Sequence, residues 1–164
     1  MLIRHNTENK QANFPAGYEL KTFRENIDED SWCAVINDAF GHSLGHVRMT
    51  PEKIRHWKLE KGYLQEGMKL LWYNDKPVGS IGITKDNHKG SEIYFIDAVA
   101  VINDFQGKGL GKNLLRAGIE FAANSGIQKV MLSVNGENDK AADMYFREGF
   151  EKEALYKCFY LDIK

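Results

Sequence analysis

Three glycines at alternating positions, Gly107, Gly109 and Gly111, stand between an apolar stretch and an amphipathic one. Glycine lets a backbone approach a ligand closely, and the unpaired N–H groups at the start of a helix attract an anion. Lys108 and Lys112 add positive charge at the same place. The chemistry that this arrangement predicts is the binding of a phosphate or pyrophosphate group.

A lone carboxylate, Asp97, interrupts the apolar stretch that precedes the glycines. Burying an unpaired carboxylate is costly, so Asp97 should either make a structural hydrogen bond or line a pocket.

Among the histidines, His42 and His46 stand four residues apart. Glycines alternate with them and no third ligand is near, which favours a solvated loop, and we expect no metal site.

These residues need a strand, a loop and a helix to position them. Residues 93–102 are rich in Val, Ile, Phe and Tyr, which predicts a strand buried on both faces. After the loop, apolar residues recur at helical spacing through residue 122. A strand follows at 129–134, and a strand, helix and strand in this order predict parallel neighbours. Upstream, the pattern predicts a strand at 18–23, helices over 28–40 and from 50 to 62, and antiparallel strands at 68–73 and 78–84. Downstream, it predicts a helix over 139–148 and a last strand at 155–163.

The spacing of the glycines separates this loop from other phosphate-binding loops. The patterns G-x-x-x-x-G-K-[ST] and G-x-G-x-x-G do not fit it. The run from Gln106 to Gly111 resembles Q/R-x-x-G-x-G/A, the acetyl-CoA pyrophosphate motif of the GNAT N-acetyltransferase family. Residues 138–150 resemble a second signature of that family, N-x-x-A-x-x-x-Y-x-x-x-G-F, with Asn138 and Tyr145 at its polar positions.

The resemblance implies an α/β fold in which a central mixed sheet, flanked by helices, splays open between the fourth and fifth predicted strands. Acetyl-CoA would lie in that split. Main-chain groups of Val99 and Val101 would pair with the pantetheine arm, and the amides of the glycine loop would hold the pyrophosphate. The residues expected to bind the cofactor are Val99, Val101, Gln106, Gly107, Lys108, Gly109, Gly111, Lys112 and Asn138.

The activity that the resemblance implies is an N-acetyltransferase in which a primary amine attacks acetyl-CoA directly within a ternary complex. Tyr145 would lie by the sulfur and protonate the thiolate, and the Val101 N–H is the candidate donor to the oxyanion. Similar enzymes often place an acid near Asp97 to bind or deprotonate the amine. Glu92 and a chain of water molecules are the alternatives for the base. An acyltransferase with another acyl-CoA or acceptor, and a CoA-binding regulatory module without turnover, remain open.

Length and composition indicate the domain organisation, the kinds of partner and the compartment. The 164 residues suit a polar N-terminal arm at 1–17 followed by a single acetyltransferase domain at 18–164. A formal net charge of -1 argues against nucleic acid as a partner, and no apolar run reaches the length of a membrane span. The N-terminus has no hydrophobic stretch of the kind found in secretory signals, and two cysteines give no disulfide framework, so we expect a cytoplasmic protein. The expected partner is a small-molecule or peptide amine, and a homodimer is compatible with the sequence.

Overall fold

A computed structural model describes residues 1–6, 11–43 and 45–156. The elements in these ranges confirm the predicted α/β order and add strands near both ends. The strands are β1 (Leu2–Arg4), β2 (Tyr18–Thr22), β3 (Lys69–Tyr73), β4 (Lys76–Ile81), β5 (Ile83–His88), β6 (Ser91–Ile96), β7 (Ala100–Val101), β8 (Val130–Leu132) and β9 (Glu151–Lys152). The helices are α1 (Glu29–Phe40), α2 (Pro51–Trp57), α3 (Leu110–Asn124) and α4 (Asp139–Arg147).

The strands form two hydrogen-bonded sheets, in the orders β5-β6-β8-β1-β9 and β2-β3-β4-β7. The chain connects the two sheets twice, because β4 leads directly into β5 and β6 leads into β7. β6 and β8 pair in parallel, as the strand, helix and strand order predicts. β3 pairs antiparallel with β4, and β5 pairs antiparallel with β6. The result is one mixed sheet that divides partway along its central strands.

A β-bulge marks the point where the sheet divides. Ile83 pairs with Ile96 and Ser80 pairs with Ala100, so two residues of one strand face three of the other. The extra residue bends its strand. β6 stays beside β8 as far as Ile96, and β7 then turns away to pair with β4. The single strand predicted over 93–102 is therefore two strands, and the predicted splay between the fourth and fifth strands is confirmed.

The first residues of the chain form part of the larger sheet. β1 lies between β8 and β9, and the side chains of Leu2 and Ile3 are buried. The prediction that residues 1–17 form only a polar arm is wrong here, because β1 gains backbone partners on both sides. At the other end, the sheet includes β9, which the sequence analysis missed. Of the strand predicted at 155–163, residues 155–156 lie outside any strand, and the remainder lies outside the described residues.

Helix α3 packs against the strands where the two sheets meet. Its side chains Leu114 and Leu115 are wholly buried. A Cβ at Gly118 would lie 2.6 Å from Cδ1 of Ile81, so a larger residue would force the Ile81 side chain to move. Glycine inside a helix costs about 1 kcal/mol relative to alanine, and the closer packing offsets that cost. The packing fixes the N-terminal end of α3 at the division of the sheet.

Helix α2 is shorter than predicted. It begins at Pro51, as expected, but ends at Trp57 and not at Gly62. The chain then crosses β5, where the N–H of Lys85 donates to the carbonyl of Gly62 at 2.8 Å. Gly62 has a φ of +118°, and a Cβ there would lie 2.3 Å from the Lys85 carbonyl oxygen. Glycine is therefore required at this crossing, which brings the segment after α2 against β5.

Candidate active site

Two cavities are lined by neighbouring parts of the stretch 97–101, where β6 passes into β7. The first, of about 530 Å³, is called the loop cavity here because the glycine loop forms one wall. The second, of about 570 Å³, is called the Asp97 cavity. Asp97 and Ala98 line the Asp97 cavity, whereas Val99, Ala100 and Val101 line the loop cavity. Helix α1 contributes to both walls, with Trp32 in one and Phe40 in the other.

The loop cavity brings together nearly every residue predicted to bind the cofactor. Its lining includes Val99, Val101, Gln106, Gly107, Gly109, Gly111, Lys112 and Asn138, together with Tyr145. These residues come from β7, the glycine loop, the first turn of α3 and the start of α4. Elements that are distant in sequence therefore converge on one cavity, as the two motifs predict.

The glycine loop keeps its backbone open toward this cavity. Gly107 and Gly109 both have a φ of +76°, in the left-handed region that favours glycine, and no protein atom lies within 4 Å of a Cβ built on either. The Gln106 side chain ties the loop back to the sheet, because its Nε2 donates to the Val101 carbonyl at 3.0 Å. Gly109 caps the N-terminus of α3 without a side chain. The loop and the helix start thus form an exposed cradle of backbone N–H groups suited to an anion.

The two lysines of the loop behave differently. Lys112 lines the loop cavity. Lys108 does not, because its ammonium donates to the carbonyl of Asp104 at 3.1 Å and lies 4.4 Å from the centre of the Phe105 ring. A cation over an aromatic face is stabilised by the negative charge of the ring face. The structure therefore does not bring the Lys108 side chain to the cavity, contrary to the prediction from its place in the motif.

The backbone of β7 also faces the loop cavity. The Ile102 N–H donates to the Val78 carbonyl at 3.0 Å, and the register then pairs Val101 with Gly79. Antiparallel pairs alternate between hydrogen-bonded and non-hydrogen-bonded residues. Val101 is therefore in a non-hydrogen-bonded pair, and its N–H and C=O point away from β4. Val99, two residues earlier, lines the same cavity.

Helix α4 positions Asn138 and Tyr145. The Oδ1 of Asn138 accepts the Ala141 N–H at 3.1 Å, which confirms the predicted N-cap. Tyr145 lies two turns later and is largely buried, with its ring 6.0 Å from that of Phe150. Burial raises the pKa of the Tyr145 phenol above its ordinary value of 10. The phenol is therefore protonated at neutral pH and can act as a hydrogen-bond donor.

An ion pair links the two helices that border the loop cavity. Arg116 of α3 donates to both carboxylate oxygens of Glu148 at 2.9 and 2.8 Å, and the Glu148 side chain is buried. A bidentate pair fixes orientation as well as distance. The hydrogen bonds to Glu148 make the Arg116 pKa higher than its ordinary value. The pair therefore fixes the position of α4, which carries Tyr145, relative to α3, which follows the glycine loop.

The Asp97 cavity is lined by acidic and aromatic side chains. Asp97 accepts a hydrogen bond from Thr84 Oγ1 at 3.0 Å, and its own N–H donates to the Gly82 carbonyl at 2.9 Å. The side chain is exposed to the cavity, but surrounding protein atoms exclude part of the water near the carboxyl. This desolvation raises the pKa of Asp97 to about 6. The Thr84 hydrogen bond opposes the rise, and the charges of Glu60 and Asp86 add to it. Asp97 is thus both hydrogen-bonded and pocket-lining.

Glu92, the alternative base, does not line either cavity. It lies on β6, half-exposed, with its Oε1 3.8 Å from Lys85 Nζ. Trp57 lines the Asp97 cavity, and Phe40 lines the loop cavity. The sequence analysis missed several lining residues of the Asp97 cavity, namely Glu60, Tyr63, Thr84 and Asp86. No local pattern marks them, because the crossing at Gly62 brings them together.

No helix in the described ranges has both the length and the apolar composition that crossing a bilayer requires. No group of three or more His, Cys, Asp or Glu side chains in these ranges could hold a metal ion.

Comparisons with known proteins agree with this geometry. The model of the acetyltransferase (GNAT) family matches residues 30–150. A mycothiol acetyltransferase of Geodermatophilus obscurus is 30% identical over 145 residues, which cover 86% of this chain and 47% of that protein. The chain thus spans about half the length of that relative.

Solved structures show the same fold. Arabidopsis thaliana Naa50, in complex with the bisubstrate analogue CoA-Ac-MVNAL, has a TM-score of 0.69 at 24% identity, with 91% of this chain and 93% of that chain covered. An aminoglycoside acetyltransferase from an uncultured soil metagenomic sample, in complex with sisomicin, has a TM-score of 0.69 at 17% identity, with 90% and 97% covered.

Proposed function

This chain belongs to the GNAT acetyltransferase family, and we propose that it transfers the acetyl group of acetyl-CoA to a primary amine by direct attack within a ternary complex. The observation that supports this most is that consecutive residues of one short stretch, 97–101, line both cavities. One has a backbone cradle suited to a pyrophosphate, and the other has a carboxylate suited to an amine. A ternary complex needs binding sites for both cosubstrates close to each other.

The loop cavity is the proposed site of acetyl-CoA. The open N–H groups around Gly107 and Gly109 would hold the pyrophosphate, with Lys112 adding charge. The main-chain groups of Val99 and Val101 would pair with the pantetheine arm. Asn138 would contact the same arm in addition to capping α4. The known CoA complexes with this fold include the bisubstrate complex of Naa50, which supports this assignment.

Asp97 and Tyr145 would handle the protons of the reaction. An amine is protonated at neutral pH, and Asp97, with a pKa of about 6, would accept one proton from it directly or through water. The nitrogen would then attack the thioester carbonyl, and the Val101 N–H would stabilise the oxyanion. As the C–S bond breaks, Tyr145 would donate a proton to the sulfur. After the attack, the nitrogen loses a second proton as the amide forms, and Tyr145 takes up a proton in place of the one that it donated. The products are the amide, the CoA thiol and one released proton.

Lysine substitutions in the loop test the cofactor assignment. Lys112→Gln should weaken acetyl-CoA binding about fivefold, because it removes a charge from the cavity wall. Lys108→Gln is a matched control, since that ammonium is held at Asp104 and Phe105, and it should change affinity less than twofold. Calorimetric titration with acetyl-CoA gives both values. An equal loss in the two variants would argue against the proposed position of the pyrophosphate.

Release of CoA thiol in the presence of amines tests the reaction. The amine panel should include an aminoglycoside and a peptide that begins with Met-Val, because structures with this fold are complexes with sisomicin and with CoA-Ac-MVNAL. We expect CoA to be released only when an amine is present. Mass spectrometry should find no acetyl group attached to the enzyme itself, because the amine attacks acetyl-CoA directly. Release that requires a longer acyl-CoA would favour another acyltransferase. Tight acetyl-CoA binding without release for any amine would favour a regulatory module.

A further inference from the structure

We propose that the acceptor amine carries at least one further positive charge, which the Asp97 cavity recognises with carboxylates and aromatic rings. The acceptor would then be a multi-amino cation, either an aliphatic polyamine or an amino sugar. This inference rests on the proposed function, because it assigns the Asp97 cavity to the acceptor.

The first observation is that carboxylates from three separate elements converge on this cavity. Asp97 comes from the bulge, Asp86 from β5 and Glu60 from the segment after α2. Their charges act on one another, since both Glu60 and Asp86 make it harder for Asp97 to ionise. Carboxylates held together in this way are unfavourable unless a cation lies between them. If Asp97 serves as the base, Glu60 and Asp86 remain to hold a second positive charge.

The lysines that line the same cavity do not cancel this charge. Lys85 lines the cavity with its Nζ 3.8 Å from Glu92 Oε1, so its charge is paired with a carboxylate that does not line the cavity. Lys61 is exposed to solvent. A cation that enters the cavity therefore meets three carboxylates and one lysine, Lys61, that is not paired with a carboxylate of the described ranges outside the cavity.

The aromatic side chains supply a second, independent feature. Trp57, Tyr63 and Phe95 line the cavity and are each partly exposed. Ring faces of this kind attract ammonium groups. Trp32 forms part of the same aromatic lining.

A pair of matched amines gives the first test. Diaminobutane and butylamine differ only in the second ammonium group, and aminobutyrate replaces that group with a carboxylate. We expect kcat/KM for diaminobutane to exceed that for butylamine by about tenfold or more, and aminobutyrate to be the poorest of the three. Equal or higher values for butylamine or aminobutyrate would overturn the inference. Comparing spermidine with a diamino sugar then separates the two kinds of cation.

Charge-neutralising variants locate the effect. Glu60→Gln and Asp86→Asn should each reduce the preference for diaminobutane about fivefold, while butylamine changes less than twofold. Glu120→Gln is the matched control, because it removes one negative charge from α3 at a position that lines neither cavity. It should leave the preference unchanged. A preference that persists in both cavity variants would show that these carboxylates do not recognise the second charge.

A binding measurement keeps this inference separate from the proposed function. Tetramethylated diaminobutane carries two charges but cannot form a stable amide, and dimethylbutylamine is its singly charged counterpart. Calorimetry on CoA-saturated protein should show tighter binding of the dication, with the advantage reduced in Glu60→Gln. If no amine is acetylated but this pattern appears, the proposed reaction fails while the recognition of a dication stands. Equal binding of the two compounds would overturn the inference even in an active enzyme.

Discussion

Replacing Asp97 with Asn should lower activity and raise stability in the same protein. Asn matches Asp in shape, and its side-chain oxygen can still accept the hydrogen bond that Thr84 Oγ1 donates at 3.0 Å. The backbone bond to the Gly82 carbonyl does not involve the side chain. The substitution therefore removes the charge with little change in packing, and what it measures is the effect of the ionised carboxyl.

The magnitude follows from the pKa of Asp97. Folding raises that pKa from its ordinary value of 3.8 to about 6, mainly through desolvation. A rise of that size corresponds to about 3 kcal/mol. Because the side chain is exposed to water in the cavity, screening reduces the effect, and we expect about 1 kcal/mol. The folded state binds more protons than the unfolded state between these two pKa values, so stability decreases as the pH rises through that range.

Urea unfolding from pH 4 to pH 8 measures this effect. Wild type and the Asn variant should differ least in stability near pH 4, where the carboxyl of the folded protein is protonated. Above pH 6 the variant should be more stable by about 1 kcal/mol. Asp75→Asn is a matched control in the exposed turn after β3, where Asn tolerates the left-handed φ of 63° as well as Asp does. It should show no such pH-dependent gain.

The kinetic profile completes the test. In wild type, kcat/KM should rise with pH through about 6 as Asp97 ionises, and the variant should lose that limb together with about a hundredfold of its turnover. Acetyl-CoA affinity should be unchanged, because Asp97 does not line the loop cavity. A variant that is less stable than wild type at pH 8, or that keeps both its turnover and its rise near pH 6, would refute the reasoning.

Two further substitutions follow from the loop cavity. Gly109→Ala should destabilise the protein by about 1 kcal/mol, because φ is +76°, and should weaken acetyl-CoA binding at least tenfold. Gly111→Ala should instead stabilise the protein by about 0.5 kcal/mol and keep acetyl-CoA affinity within a few-fold. Its backbone is helical, and the nearest atoms lie 4.0 Å from a Cβ at this position, so a methyl group fits. Equal effects of the two substitutions in urea unfolding and in calorimetry would contradict this reasoning. Tyr145→Phe should retain acetyl-CoA binding but lose about tenfold in turnover, and unchanged single-turnover rates would show that Tyr145 only packs.

The parts of the fold that the sequence predicted correctly are those fixed by neighbouring residues. Glycine spacing and helical periodicity are local, so the loop and α3 could be predicted directly. The bulge at residues 97–99 could not, because it exists only relative to a partner strand that supplies two residues opposite three. β1 was missed for the same reason. Its three residues have little propensity of their own and are held by two distant strands.

The same distinction applies to the side chains of the site. Motif positions placed Asn138 and Tyr145 correctly at one cavity, since both lie on a single helix face. The Lys108 side chain lies outside that cavity, because the Asp104 carbonyl and the neighbouring Phe105 ring hold its ammonium. Glu60 and Asp86 have no motif. The crossing of β5 at Gly62 brings Glu60 to the Asp97 cavity, and the pairing of β5 with β6 brings Asp86 there. A charge cluster of this kind is a property of the tertiary structure.

The position of β1 imposes an order on folding. Its partners are β8 and β9, near the opposite end of the described chain, with Ile3 opposite both Met131 and Glu151. During synthesis, β1 emerges long before β8 and β9 and must therefore wait for them before it can pair. The smaller sheet and α3 can assemble earlier, and the larger sheet closes last around β1. Contacts of such long sequence separation slow folding, and until they form, the edges of β8 and β9 have no strand between them.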